Sequence, residues 1–213
     1  MNPDLDAFAC VFAYKEFLVK NGQEAESVIF GTPQDEVKYL IDRFNIPATE
    51  NNSKQLDSAA KIILVDSSQL ETLDKSVNPQ NVIEIIDHRE VTDANLFPNA
   101  KIQIELIGAA GTLIAEKFIK RQTEISFESA VLLYGAIISN TLNFKSNTTT
   151  ERDRIAASWL NKKANLPENF AKEMFLAKSD LAGEKLIKRI RTLKSGLVLF
   201  EQYFLLPSDS III

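Results

Sequence analysis

One cysteine, one histidine and no long apolar run are what this chain of 213 residues makes do with. The single thiol, Cys10, excludes an internal disulfide. It lies in Ala7-Phe8-Ala9-Cys10-Val11-Phe12, an apolar helical stretch, and reads as a small core residue rather than a nucleophile. No segment reaches the ~20 apolar residues of a membrane span, and none has the layout of a signal or transit peptide. A reducing cytoplasm is therefore the expected location. Excess positive charge is missing too. The net charge of −5 gives no electrostatic ground for duplex nucleic acid or an anionic membrane as partner. A small phosphorylated molecule remains open as a partner, because bound metal ions supply positive charge locally. Internal repeats and low-complexity linkers are also lacking.

What is present is enough apolar material for a proper core, 45% of residues, in one large domain or one domain plus a small second piece. Apolar residues recur with helical spacing over Asp4 to Lys20, ended by Asn21-Gly22. Ser27 to Phe30 reads as a short strand, and Asp35 to Phe44 as an amphipathic helix. Lys61 to Asp66, Asn81 to Ile86 and Ile102 to Leu106 read as further strands. Their continuous Val/Ile/Leu content predicts burial on both faces. Helices are predicted at Gly108 to Lys120, Phe127 to Thr141, Arg154 to Lys162 and Glu168 to Ala177. Strands alternating with helices predict an α/β fold, a doubly wound (Rossmann-like) parallel sheet. The character changes near Asp180: Lys185 to Lys194 is basic, and residues 197–200 and 203–206 read as a hairpin.

In a parallel α/β sheet, ligands gather beyond the carboxyl ends of the strands. Asp66 ends one predicted strand, and Asp87-His88 follows another. Asp4 and Asp6 sit at the start of the first helix, where the dipole favours anions. Taken singly, Asp4 reads as an N-cap, Asp66 as a loop acid and His88 as a hydrogen-bonded structural residue. Together, hard carboxylates and a borderline imidazole suit Mn²⁺, Mg²⁺ or Zn²⁺, and a pair of such ions suits phosphoryl chemistry.

The same residues stand in the order of known motifs. Asn2-Pro3-Asp4-Leu5-Asp6-Ala7 matches most of His-x-Asn-Pro-Asp-x-Asp-Ala, Val65-Asp66 the acid ending a strand, and Asp87-His88-Arg89 an Asp-His-His triplet. Residues 139–153, from Ser139-Asn140-Thr141-Leu142 through Phe144-Lys145-Ser146 to Asp153, match a fourth motif. Gly108-Ala109-Ala110-Gly111-Thr112 looks like the accompanying small-residue helix start. On these motifs the chain resembles the DHH phosphoesterase family, and within it the manganese-dependent (family II) inorganic pyrophosphatases.

The resemblance implies a two-metal site for Mn²⁺ (or Mg²⁺). Asp4 would bind one ion, Asp6 the other, Asp66 would bridge them, and His88 would be a nitrogen ligand to the second. Asp87 would orient His88 through its other ring nitrogen. A water or hydroxide between the ions would attack phosphorus. Three positions depart from the pattern. The first-motif histidine would precede Met1, the triplet ends in Arg89, and the fourth-motif metal ligand is Asn140. A neutral amide oxygen is a weaker ligand than a carboxylate. Asp-His-Arg also resembles the prune-like branch of the superfamily, and a guanidinium there suits a phosphate bidentately; the plainer alternative for Arg89 is a surface ion pair.

By the same resemblance, residues 1–185 form the metal-binding phosphoesterase domain, and 186–213 begin a truncated second α/β domain. Both ends then read as cut. Lys194 aligns with the first basic residue of the second domain. Lys145 is a further candidate phosphate contact, with a solvated lysine as the plainer reading. The expected activity is metal-dependent hydrolysis of pyrophosphate or short polyphosphate, with Arg89 and Asp87 serving the chemistry and a homodimer as a possible assembly. The rivals are a non-catalytic phosphate- or nucleotide-binding regulatory module and, ranked lower, a relative acting on short oligonucleotides or cyclic dinucleotides.

Overall fold

The computed structural model describes residues 3–47, 60–89 and 93–179. The predicted hairpin, the second domain and Lys194 lie outside the described residues. The described elements are α1 (Leu5–Lys20), α2 (Asp35–Phe44), β1 (Ile62–Val65), β2 (Val82–Asp87), β3 (Lys101–Ile104), α3 (Ala110–Arg121), α4 (Phe127–Asn140), α5 (Glu151–Ala164) and α6 (Phe170–Ser179). The strands form a parallel sheet in the order β1-β2-β3, with Leu64 opposite Ile85 and Ile85 opposite Ile102.

Alternation along the strands sends successive side chains to opposite faces. Val65 and Ile86 join the main core, which includes Phe8, Ala9 and Phe17 of α1 and Leu113, Ile114 and Phe118 of α3. Leu64 and Ile85 point the other way, into a smaller cluster with Val82 and Phe97. That second face is closed by irregular chain carrying Leu73, Val77 and Ala100, with short 3₁₀ turns at Leu70–Thr72, Pro79–Asn81 and Ala94–Leu96. Burial on both faces holds where β2 ends, at Ile85 and Ile86, while Ile83 and Ile102 are 38% and 46% exposed. The strands are thus deepest at their carboxyl ends.

Helix α4 runs through the middle of the helical layer. Ala130 to Leu133 and Ala136 to Ile138 are buried all round, as an apolar helix surrounded by others must be. It packs against α1, α3, α5 and α6. The predicted strand at Ser27 to Phe30 is not formed. Ile29 is buried in the main core, so the apolar signal correctly marked burial, but β1 pairs only with β2 and the segment has no ladder partner among the described strands.

Helix α5 starts earlier than its apolar period suggests. Thr150 and Asp153 form a reciprocal capping box that sets the first turn at Glu151, before the first apolar residue. Asp153 is fully buried and does more than cap. Its Oδ2 accepts from the Gly108 backbone N–H at 3.0 Å, and its Oδ1 from Thr112 Oγ1 at 2.6 Å. The start of α5 is thereby tied to the start of α3. Gly108 leaves room for this contact, since a Cβ there would lie 2.5 Å from Thr141 Cγ2 and 2.9 Å from Asp153 Oδ2. Asp153→Ala removes charge-assisted acceptors from buried donors and should cost about 2–3 kcal/mol. Urea unfolding of the variant beside the wild type measures this, and a loss below about 0.5 kcal/mol would contradict the tie.

Candidate metal centre

Asp4 is the N-cap of α1: its Oδ1 accepts the Ala7 backbone N–H at 3.0 Å. This fixes the first turn and turns Asp6 inward, where it is fully buried. The N-terminus of α3 has no side-chain cap of its own, because its N-cap residue is Ala109. Asp6 supplies the missing acceptors from α1. Its Oδ2 takes the Ala110 N–H and its Oδ1 the Gly111 N–H, each at 2.8 Å. The unpaired amides and the positive end of the helix dipole both favour a carboxylate there. A Cβ on Gly111 would lie 3.1 Å from Asp6 Oδ1, tighter than an ordinary contact, so glycine keeps the approach open.

Two strand ends bring the other candidate ligands. Asp66 follows β1 in a left-handed conformation, φ 53°, and its N–H donates to Ile86 O at 2.8 Å. Outside glycine this conformation is uncommon and it re-aims the side chain. His88 follows β2. Its Nδ1 lies 3.0 Å from the Ile107 carbonyl oxygen, which can only accept, so Nδ1 carries the proton of the neutral ring. In that neutral form Nε2 carries the lone pair and is the candidate ligand nitrogen. It lies 3.6 Å from Asp6 Oδ2 and 3.4 Å from Asp66 Oδ1. Asp6, Asp66 and His88 each offer a ligand atom within 4.8 Å of the others, and theirs is the one such group among the described residues.

The remaining sequence candidates fall in different places. Asp4 serves as the cap and stands outside that group of ligands. Asp87 does not contact the second ring nitrogen of His88, a correction to the sequence reading, because Ile107 takes that role. Adjacent residues project to opposite sides of an extended chain, so the Asp87 carboxylate meets the His88 backbone instead, accepting its N–H at 2.7 Å. Arg89 lies across Asp66 and Asp87, with Nη1 3.2 Å from Oδ1 of each, and is 39% exposed. Asn140 donates from Nδ2 to Asp6 Oδ2 at 2.7 Å, so it meets the centre as a hydrogen-bond donor. Lys145 is exposed on the turn after α4, outside the ligand group. Three consecutive left-handed residues there, Leu142, Asn143 and Phe144, swing the chain from α4 toward α5.

Sequence reasoning missed the Ile107 carbonyl and the Ala110 and Gly111 amides as site groups, since backbone atoms leave no mark on residue identity. The small residues at Gly108 and Gly111 were the available signal for close approach. Asp153 was visible only as the last residue of a motif.

Electrostatics follow from this crowding. Burial first, then the charge of Asp66, pushes the Asp6 carboxyl up to about 7, against the opposing pull of His88 and the Gly111 N–H. Burial also raises Asp66, held back by His88 and Arg89. Burial alone would lower His88, but hydrogen bonding to Asp66 and the charge of Asp6 prevail and lift it to about 9. Asp66 Oδ1 is buried with no hydrogen bond among the described residues, and Asp87 Oδ2 likewise. Asp66 Oδ1 still has two cationic neighbours, His88 Nε2 at 3.4 Å and Arg89 Nη1 at 3.2 Å, and a buried carboxylate beside a second carboxylate and an imidazole nitrogen fits a divalent cation by both charge and donor type.

No protein-family model matches the chain. It is 30% identical over 193 residues to a probable manganese-dependent inorganic pyrophosphatase of Exiguobacterium sp., covering 90% of this chain and 62% of that protein. It is 30% identical over 183 residues to a protein of the same description from Deinococcus radiodurans, covering 85% of this chain and 58% of that one. The chain thus spans 58% to 62% of the length of these curated relatives. Among solved structures, a Methanococcus jannaschii protein assigned to the family II inorganic pyrophosphatases superposes with a TM-score of 0.68 at 28% identity, over 83% of this chain and 59% of that one. An exopolyphosphatase-related protein from Bacteroides fragilis superposes with a TM-score of 0.66 at 16% identity, over 91% of this chain and 58% of that one, a likeness of fold.

Two outcomes are expected. Without metal, the folded site binds protons more tightly than the unfolded chain. Its contribution to stability therefore falls as pH rises, through Asp6 between 3.8 and about 7 and through His88 between 6.5 and about 9. Cation binding must displace those protons, so Mn²⁺ affinity should climb from pH 6 to pH 9, by up to roughly tenfold per unit for each proton released. Calorimetry in buffers of different ionisation enthalpy counts the protons, and a pH-independent affinity would contradict the assignment. Asn140→Asp replaces a donor by a carboxylate beside Asp6. It should strengthen Mn²⁺ binding roughly tenfold, ~1.4 kcal/mol, while lowering the melting temperature of the metal-free protein; titration showing no gain would count against the centre.

Proposed function

We propose that this chain, a family II pyrophosphatase-like protein of the DHH family, binds Mn²⁺ through Asp6, Asp66 and His88 and hydrolyses phosphoanhydride bonds, with pyrophosphate the first substrate and short polyphosphate the next. The supporting observation is the convergence of two buried carboxylates and one imidazole, oriented through its Nδ1 by the Ile107 carbonyl, beside the carboxyl ends of parallel strands. When bound, the ion supplies Lewis acidity toward a phosphoryl oxygen and lowers the pKa of water. The chain's own residues do the rest. The amides of Ala110 and Gly111 hold Asp6 ionisable and oriented. The Ile107 carbonyl fixes the ring by accepting from Nδ1, which turns His88 Nε2 toward the centre and makes it the nitrogen that a cation would take in exchange for a proton. Arg89, partly exposed beside Asp66, has the fork geometry for a phosphate oxygen pair.

One observation favours a second reading. Asn140 presents a donor to Asp6 where the family resemblance places a carboxylate ligand, which weakens the hold on a cation. A regulatory module that binds phosphate or nucleotide without turnover would tolerate that change.

Phosphate release from pyrophosphate separates the two. The hydrolase reading expects release that Mn²⁺ stimulates, a chelator abolishes, and His88→Ala lowers by at least about 100-fold, beyond the loss typical of an outer-shell change. Thermal stabilisation by pyrophosphate with no release at any Mn²⁺ concentration would instead support the regulatory reading.

A further inference from the structure

The Arg89 guanidinium occupies an unusual place for a surface cation. Its Nη1 donates to the backbone oxygen of Asp66 and lies 3.2 Å from Asp66 Oδ1, while Nη2 donates to Asp66 Oδ2 at 3.4 Å. The same Nη1 donates to Asp87 Oδ1 at 3.2 Å. One planar group therefore engages both carboxylate oxygens of Asp66 and the nearest oxygen of Asp87, whose side chains are 1% and 0% exposed. The charges of Asp4 and Asp6 also act on it. Asp66 is thus flanked by His88 at 3.4 Å and by a permanent organic cation.

Carboxylates have about four lone-pair directions, two on each oxygen. At Asp66, the direction shared with Asp6 and His88 is the one with a buried oxygen lacking a hydrogen bond. The other oxygen, Oδ2, accepts from Arg89 Nη2 at 3.4 Å, and Nη1 stands 3.2 Å from Oδ1, so the guanidinium lies on the side of Asp66 that a bridging carboxylate would offer to another ion. Asp4, the remaining acid for such an ion, turns its Oδ1 to its own helix. A guanidinium stays protonated at all ordinary pH, so it cannot step aside by losing its charge.

We propose that Arg89 is a built-in second cation, and that the centre takes one divalent ion per chain, at Asp6, Asp66 and His88. This rests on reading the centre as a Mn²⁺ site, and it changes what the site can do. The guanidinium neutralises Asp66 and Asp87 and can hold a phosphate, but it has no coordination position to offer a water molecule.

Stoichiometry tests this without reference to turnover. The full chain is equilibrated with Mn²⁺, bound metal is counted by dialysis and elemental analysis, and electron paramagnetic resonance reports whether bound ions are isolated or spin-coupled. Wild type should hold one ion per chain with an isolated six-line signal. Arg89→His, which exchanges the guanidinium for a ligand, should raise the count toward two and introduce a spin-coupled signal, whereas Arg89→Lys should stay at one. Two coupled ions in the wild type would overturn the inference and leave the Mn²⁺ reading standing. No bound ion in the wild type would overturn both. A folded Arg89→His protein that still holds one ion would also overturn it, and should that variant fail to fold, the wild-type count decides alone.

Discussion

Asp6 lies across the first amides of α3 with both of its oxygens, and the rest of the centre is arranged around that contact. The contact is mutual. Helix α3 lacks a cap of its own, and a carboxylate buried in a helical core needs strong donors to remain ionisable. Two backbone amides and a helix dipole go part of the way. Burial, and after it the charge of Asp66, still lifts the Asp6 pKa to about 7, so the metal-free fold carries an electrostatic burden that a divalent cation would relieve. A cation bound there would couple its affinity to folding stability through this one side chain.

The scaffold around this contact explains how four separate stretches meet. Parallel strands deliver their carboxyl ends to one side of the sheet, and the left-handed turn at Asp66 redirects its side chain there. The change of side between Asp87 and His88 lets the acid hold backbone while the ring reaches the centre. Behind them, Asp153 clamps the starts of α3 and α5 together, which keeps the amides of Ala110 and Gly111 in position. Each device is local, and together they fix the positions of the candidate ligands, which matters because a cation site tolerates little displacement of its ligands.

Much of the fold was legible beforehand. Helix α2 matches its predicted span of Asp35 to Phe44, and the strands ending near Asp66 and Asp87 are where continuous apolar runs placed them. The expected strand at Ser27 to Phe30 was not formed, because apolar content reports burial, whereas a strand also needs an edge to pair with. In the site, Asp6, Asp66 and His88 were readable as candidate ligands since their residue types carry the coordination chemistry, and the fold brings the three together. The supporting groups were not. The Ile107 carbonyl is common to every residue type, and the partner of a side chain such as Asp87 depends on which way its strand faces.

Sequence by itself determined the parallel α/β class and the chemistry available at the centre, because hydrophobic period and side-chain identity are properties of the chain. Only tertiary structure decided how that chemistry is distributed: Asp4 as a cap, Asn140 as a donor to Asp6, and Arg89 across Asp66. The reason is geometric. Residues separated by scores of positions acquire distances and directions only when strands and helices pack, and coordination depends on distance and direction as much as on which atoms are present.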